Sequence, residues 1–202
     1  MCGLGTKIML YLFRWSTADG HTSSDNMQVN RVADKIWPLT CGIYALKCGS
    51  AADTQFLLQI TKSYIGLFGV EYSDKTQVKV AARILQQYQY KYKDYLSCTV
   101  IVCGVDNLEG ACIYEVGSGG TMTKRILAMN GSGSHYIYGY VDKHFKENMT
   151  KEEAKEFLLN AVTLALFRDN ASGGIVRILD ITKDGVTREF HPYNKLKLPQ
   201  MP

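Results

Sequence analysis

The stretch Gly42-Ile-Tyr-Ala-Leu-Lys-Cys-Gly-Ser-Ala-Ala-Asp-Thr-Gln-Phe56 changes its period halfway along. Residues 42–48 are dense in apolar and β-favouring side chains, which suits a strand. Gly49-Ser50 breaks that run. Ser50 is a good helix cap, and Asp53 three residues on favours the positive end of a helix. The spacing predicts a helix whose buried face is Ala52, Phe56, Ile60, Tyr64 and Leu67.

The same reading extends outward. Residues 8–15 are apolar and strand-like. Residues 31–39 alternate, with Pro38 at their end, and place Lys35 inside a strand. Downstream, Ala81, Leu85, Tyr88, Tyr92 and Tyr95 recur at helical spacing and predict a second helix over 75–95. Three strands follow at 98–105, 111–116 and 123–129. Asp106-Asn-Leu-Glu-Gly110 and Gly117-Ser-Gly-Gly120 are turn material between them. A third helix starts near Ser134. The fourth is announced by a capping box, Thr150-Lys-Glu-Glu153, with Ala154, Phe157, Leu158, Ala161 and Ala165 on one face. Residues 175–181 and 185–190 read as a hairpin around Lys183-Asp-Gly185.

Strands thus alternate in blocks with pairs of helices. That order predicts an α+β fold, a four-layer α/β/β/α sandwich of two stacked antiparallel sheets between helix pairs. With no Pro- or Ser-rich linker and no repeat, residues 1–202 read as a single domain.

Composition narrows the function. A net charge of +4, spread along the chain, argues against nucleic acid as a partner. Tyr90-Lys-Tyr-Lys-Asp-Tyr95 mixes aromatic and basic residues, but it falls in the second helical pattern and reads as a half-buried face. No apolar run approaches the roughly 20 residues a membrane span needs. The chain is expected inside the cell, with its six cysteines as buried free thiols.

Common catalytic signatures are absent: no GxxxxGK(S/T), HExxH, GxSxG or paired CxxC. The residues that stand out do so modestly. Asp19 follows an apolar strand. Lys35 points to solvent in an ordinary strand; turned inward, desolvation would lower its pKa and suit it to chemistry near neutral pH. Asp169, Asn170 and Ser172 follow an apolar helix, where such residues serve equally well as a helix end and turn.

Taken in order, five segments resemble proteasome beta subunits of the caspase-like kind. They are Asn30-Arg-Val-Ala-Asp-Lys35, Cys48-Gly-Ser-Ala-Ala-Asp-Thr-Gln55, Gly131-Ser-Gly-Ser-His-Tyr-Ile-Tyr-Gly-Tyr-Val-Asp142, Met149-Thr-Lys-Glu-Glu153 and Arg168-Asp-Asn-Ala-Ser-Gly-Gly174. The resemblance implies an N-terminal nucleophile hydrolase: a threonine-type endopeptidase whose nucleophile is freed when a pro-segment is cut off after a Gly. The threonine hydroxyl attacks the peptide carbonyl, and its own α-amine, with a pKa of about 7.7–8.0, takes the proton. By resemblance, Asp19 and Lys35 are the pair that favours the alkoxide. Ser132, Asp169 and Ser172 orient the amine, and Gly49 donates to the oxyanion. Ser23 pairs its backbone with an extended substrate. Lys47 stands in the specificity pocket, favouring an acidic side chain before the cut bond. No cofactor or metal is implied. The implied partners are other beta and alpha subunits in stacked rings and unfolded polypeptide, in ubiquitin-linked protein degradation in cytoplasm and nucleus, with no nucleic acid and no membrane. Tyr136, Tyr138, Tyr140 and the tail 194–202 are candidate interface residues.

The match departs from the family at its start. Gly5-Thr6-Lys-Ile-Met9 is the one segment similar to the expected nucleophile, making 1–5 the pro-segment. From Thr6 to Asp19 the chain is roughly three residues shorter than the family spacing. Phe13-Arg-Trp15 replaces a Gly-Gly turn, an ungapped match puts Gly3 at the nucleophile, and His21 stands where an Arg is usual. Three readings stand: Thr6 is the nucleophile of a shortened hairpin, the chain is a non-catalytic structural subunit of the ring, or the first dozen residues are an alternative start.

Overall fold

A computed structural model describes residues 4–5, 9–12, 15–20, 22–24, 27–30, 32–72, 76–169 and 172–198. The first part of the chain forms strands β1 (Leu4–Gly5), β2 (Met9–Leu12), β3 (Trp15–Ala18), β4 (Thr22–Ser24), β5 (Met27–Asn30), β6 (Ile36–Thr40) and β7 (Ile43–Ser50). Helices α1 (Ala51–Tyr72) and α2 (Val78–Lys91) follow, then β8 (Cys98–Asp106), β9 (Gly110–Val116), β10 (Met122–Arg125) and β11 (Leu127–Asn130). A 3-10 turn at Ser132–Tyr136 leads into α3 (Tyr138–His144) and α4 (Lys151–Arg168), and the hairpin β12 (Ile175–Ile181) and β13 (Val186–Pro192) comes last.

The strands pair antiparallel into two sheets. One runs β10-β9-β8-β7-β1-β4-β5, with β6 also on β7; the other runs β11-β2-β3-β12-β13. Three apolar layers glue the sandwich. Leu46, Ile101, Ile113, Leu179 and Ile181 fill the space between the sheets. Leu57, Leu58, Ile65, Ala81 and Leu85 press α1 and α2 onto the first sheet. Phe157, Leu158, Ala161 and Val162 press α4 onto the second. Each large side chain so buried stabilises the fold by about 1.5–3 kcal/mol. The α+β four-layer arrangement is the one the element order predicts. No helix among the described residues is long and apolar enough to cross a membrane.

The capping box holds: Thr150 Oγ1 accepts from the Glu153 N–H, and Glu153 accepts from the Thr150 N–H. Ser50 Oγ accepts from the Asp53 N–H at 3.4 Å, so it does cap α1.

Several expectations change. The buried face of α1 is Thr54, Leu57, Leu58, Thr61 and Ile65, while Phe56 and Leu67 lie 55% and 68% exposed. Threonine can go inside because its hydroxyl is satisfied locally: Thr54 donates to the Ser50 carbonyl at 2.9 Å and Thr61 to Leu57 at 2.8 Å. The stretch 8–15 is not one strand but part of the β2–β3 hairpin, with Leu12 opposite Trp15. Residues 123–129 divide at Ile126 into β10 and β11, which belong to different sheets. Helix α2 ends at Lys91, and Tyr90 and Tyr95 are exposed rather than half-buried. Pro38 lies inside β6, which tolerates it because β6 pairs on one side, with β7. Cys48, Cys98, Cys103 and Cys112 are buried free thiols, but Cys41 is exposed; Cys2 lies outside the described residues.

Candidate active site

Asp19 follows the last residue of β3, the central strand of its sheet, and is buried. Its Oδ1 accepts from Lys35 Nζ at 2.6 Å, and both side chains are almost wholly removed from solvent. Lys35 is not inside a strand. It is the last residue of an irregular segment, 32–35, that leads into β6. That freedom from the strand's alternation lets its side chain turn inward.

A small backbone lattice holds the pair. The Gly20 N–H donates to the Gly173 carbonyl at 3.2 Å, and the Ala33 N–H donates to Gly20 at 3.0 Å. The Lys47 N–H donates to the Lys35 carbonyl at 3.2 Å. The Gly173 N–H leans on Asp19 Oδ2 at 3.5 Å, at the long limit of a hydrogen bond. Residues from β3, the 32–35 segment, β7 and the end of α4 thereby converge. An isolated buried charge would be very costly, so the ion pair fixes a positive charge at a set depth.

Asp169 is the C-cap of α4, its N–H bonded to the Ala165 carbonyl at 2.8 Å. The helix-end reading is met. Its Oδ2 accepts from Ser132 Oγ at 2.8 Å and from Ser172 Oγ at 2.5 Å. Ser172 is directly followed by Gly173, so this carboxylate cluster adjoins the Asp19 lattice along the chain. Asn170 lies outside the described residues.

Gly49 occupies a left-handed position, φ +100°, near the end of β7. A Cβ there would meet the Ser97 carbonyl oxygen at 2.5 Å, so the close approach of β8 requires glycine. Along its other edge, β7 pairs with β6 from Ile43 to Leu46 and with β1 at Gly49 and Ser50. Gly5 lies opposite Gly49 on one side and opposite Thr22 of β4 on the other. The edge of β7 thus accepts a two-residue extended segment where β6 has left it. Ser23, expected to pair with an extended chain, sits next to Thr22, beyond a register irregularity, and pairs with Gln28. Thr22 makes the pairing with β1.

Lys47 is half-buried, two residues before Gly49. Its Nζ lies 5.0 Å from the centre of the Trp37 ring, a cation–π contact. Burial holds its pKa below the ordinary lysine value, with Asp34 pulling it back up. In register Trp37 faces Ala45, so Trp37, Ala45, Lys47, Gly49 and Gly5 share one face of the sheet. Cys48 lies on the opposite face, where burial pushes its thiol up to about 11 against the pull of Lys35; it stays protonated near neutral pH.

The structure therefore brings Asp19 to Lys35, and Ser132 and Ser172 to Asp169. It sets Gly49 against the residue before Thr6 and places Lys47 beside it. Thr6 lies outside the described residues, between Gly5 in the first sheet and Met9 in the second. Thr22 and Trp37, which the structure brings beside Gly5 and Lys47, carried no sequence signal of a role there. Among the described residues no cluster of His, Cys, Asp or Glu could hold a metal.

Comparison with known proteins identifies the family. The family model described as Proteasome subunit matches residues 17–181, which take in every described side chain of the two polar clusters. The chain is 41% identical over 196 residues to a proteasome subunit beta type-6 of Dictyostelium discoideum, covering 96% of this chain and 92% of that one. It is 41% identical over 181 residues to the beta type-6 subunit of Arabidopsis thaliana, covering 90% of this chain and 78% of that one. It is 42% identical over 173 residues to a probable beta type-1 subunit of Schizosaccharomyces pombe, covering 86% and 76%. The chain belongs to the proteasome subunit family.

Proposed function

We propose that the chain is a catalytic beta subunit of the proteasome core particle, a threonine-type endopeptidase that cuts after acidic residues. Thr6 is its nucleophile, released by cleavage of the Gly5–Thr6 bond. The observation that carries this reading is β1: the two residues before Thr6 lie as a strand between β4 and β7, Gly5 between Thr22 and Gly49. They occupy the place an extended substrate would take by β-addition. The shorter spacing from Thr6 to Asp19 is compatible with it. Met9 pairs with Ala18, the neighbour of Asp19, and the register runs on to Leu12 opposite Trp15.

In this reading the Thr6 hydroxyl attacks the substrate carbonyl while its free α-amine takes the proton. The acyl group passes to the threonine oxygen, the amine half of the substrate leaves with that proton, and water then hydrolyses the ester. Lys35, fixed by Asp19, favours the alkoxide. Ser132, Ser172 and Asp169 orient the amine, and the Gly49 N–H stabilises the oxyanion. Lys47, on the same sheet face as Gly5, attracts an acidic side chain.

The names of the relatives support assembly with other proteasome subunits. In the proposed role the neighbours are beta and alpha subunits, and the substrate is unfolded polypeptide, in ubiquitin-linked degradation in cytoplasm and nucleus. Both helix layers carry exposed apolar side chains for such neighbours: Phe56 and Leu67 on α1, Tyr136 and Tyr138 at the start of α3. The tail is described as far as Leu198, and 199–202 lie outside the described residues.

The test is the intact mass and N-terminal sequence of this subunit in assembled particles. A chain starting at Thr6, whose Thr6→Ala form loses cleavage after acidic residues, supports the reading. A chain still starting at Met1 or Cys2 sinks it and leaves a structural role in the ring.

A further inference from the structure

Lys35 is delivered by a segment with no regular structure, so its position depends on a few polar contacts. Val32 in that segment is exposed. Ala33 bonds to Gly20 through its N–H, and Asp34 Oδ1 accepts from the Ile36 N–H at 3.0 Å. The strongest hold comes from outside. Arg177, on β12, donates from Nη1 to the Ala33 carbonyl at 2.8 Å and from Nη2 to the Val32 carbonyl at 2.7 Å. Its guanidinium also packs over the Phe190 ring, 5.7 Å from its centre. In register Arg177 lies directly opposite Ala18, the residue before Asp19.

One residue therefore reaches both segments that carry the ion pair. Its backbone pairs beside Asp19, and its side chain grips the two carbonyls just upstream of Lys35. We propose that Arg177 is a positioning residue for the proposed protease reaction: its planar fork sets the 32–35 segment against β3, and so sets where the Lys35 ammonium meets the reacting oxygen. This rests on the Thr6 reading above.

The physical case is one of geometry and strength. Hydrogen bonds from an ionised donor are roughly twice as strong as neutral ones. A guanidinium offers two donors in a fixed plane, which an ammonium cannot. If the fork is lost, water replaces it at carbonyls next to an exposed Val32, and the segment is left to its own backbone bonds, Ala33 N–H to Gly20 and the Lys35 carbonyl to the Lys47 N–H. A displacement of about 1 Å in a catalytic group can cost on the order of 100-fold in rate. A clamp that acts through Lys35 should change turnover and leave substrate affinity alone, because β4 and β7 bind the extended chain.

The experiment compares assembled particles carrying Arg177→Met, Arg177→Lys and Arg188→Met with wild type, using a peptide reporter with Glu before the cut bond. Arg188, from the same hairpin, makes an exposed ion pair with the Asp34 side chain at 3.1 Å, lies 5.8 Å from the centre of the Tyr44 ring, and serves as the control. The expected result is a fall in kcat of about 10- to 100-fold for Arg177→Met with KM within about 3-fold. Arg177→Lys should recover part of kcat, and Arg188→Met should stay within about 2-fold. Normal kcat in assembled Arg177→Met particles overturns the proposal, as does an equal loss in Arg188→Met or a loss confined to KM. If Arg177→Met does not assemble, Arg177→Lys decides: kcat equal to wild type overturns the proposal. A wild-type subunit left uncleaved before Thr6 instead overturns the Thr6 reading, and the positioning role falls with it.

Discussion

Two polar clusters meet at the site, and they are built on opposite principles. Asp19 and Lys35 form a direct ion pair sealed from water, drawn from two segments that also meet through the Ala33 N–H and the Gly20 carbonyl. Ser132, Asp169 and Ser172 put two neutral donors on one carboxylate at a helix end, with Ser132 exposed. A sealed pair is rigid and intolerant of losing a member. A capped carboxylate with hydroxyl partners can let water replace one of them. In the proposed reaction, the first part would set a fixed charge and the second would adapt to a moving proton.

Removing one charge should break the comparison most severely. Lys35→Met leaves Asp19 buried without its main partner, at a cost of about 3–5 kcal/mol. Cleavage should fall to background and the melting temperature should drop. The double variant Asp19→Asn with Lys35→Met should regain stability relative to the single one while remaining inactive. A double variant less stable than the single would show that the pair is not what Lys35→Met destroys.

The hydroxyl cluster should respond more gently. Ser172→Ala and Ser132→Ala each remove one bond to Asp169, worth about 1 kcal/mol, with the larger loss at buried Ser172. About a tenfold drop in kcat is expected for Ser172→Ala, less for Ser132→Ala, with particles still assembled. Losses as deep as that of Lys35→Met would erase the distinction between the clusters.

The smallest effects concern Lys47. Lys47→Met should lower kcat/KM for a Glu reporter about tenfold while sparing a Gln reporter. Because burial lowers the Lys47 pKa, its positive charge is present at low pH and is lost as pH rises, before an exposed lysine would lose it at about 10.4. The ratio of Glu to Gln reporter turnover should therefore fall with rising pH in wild type and stay flat in Lys47→Met. A flat wild-type ratio would place Lys47 outside the pocket.

Legibility followed how local the cause was. The capping box at Thr150, the buried face of α4 and the final hairpin depend on neighbours in sequence, and all were readable. The buried side of α1 was not, because apolar residues recur on more than one face and buried threonines look polar until their backbone bonds are seen. Asp19, Lys35, Asp169 and Ser172 stood out as candidates, but the residues alone could not tell a solvent-facing strand lysine from an inward one. Lys35 turns inward from a segment, 32–35, that is not a strand and whose Val32 and Ala33 carbonyls are bonded by Arg177, far along the chain. No local pattern contains that contact. Trp37 was invisible for the same reason: its partner, Lys47, lies across a strand pair.

The two residues of β1 also have a protective consequence. Strands stand about 4.8 Å apart, so a sheet without β1 would hold a slot about 10 Å wide between β4 and β7. Both walls of that slot would offer unpaired N–H and C=O groups. Such open walls are templates for stray chains and for aggregation. With Leu4 and Gly5 in place the newly folded subunit shows no such slot. In the proposed pathway the slot opens only on cutting before Thr6, so a hazard to the free subunit becomes the docking groove of the finished particle.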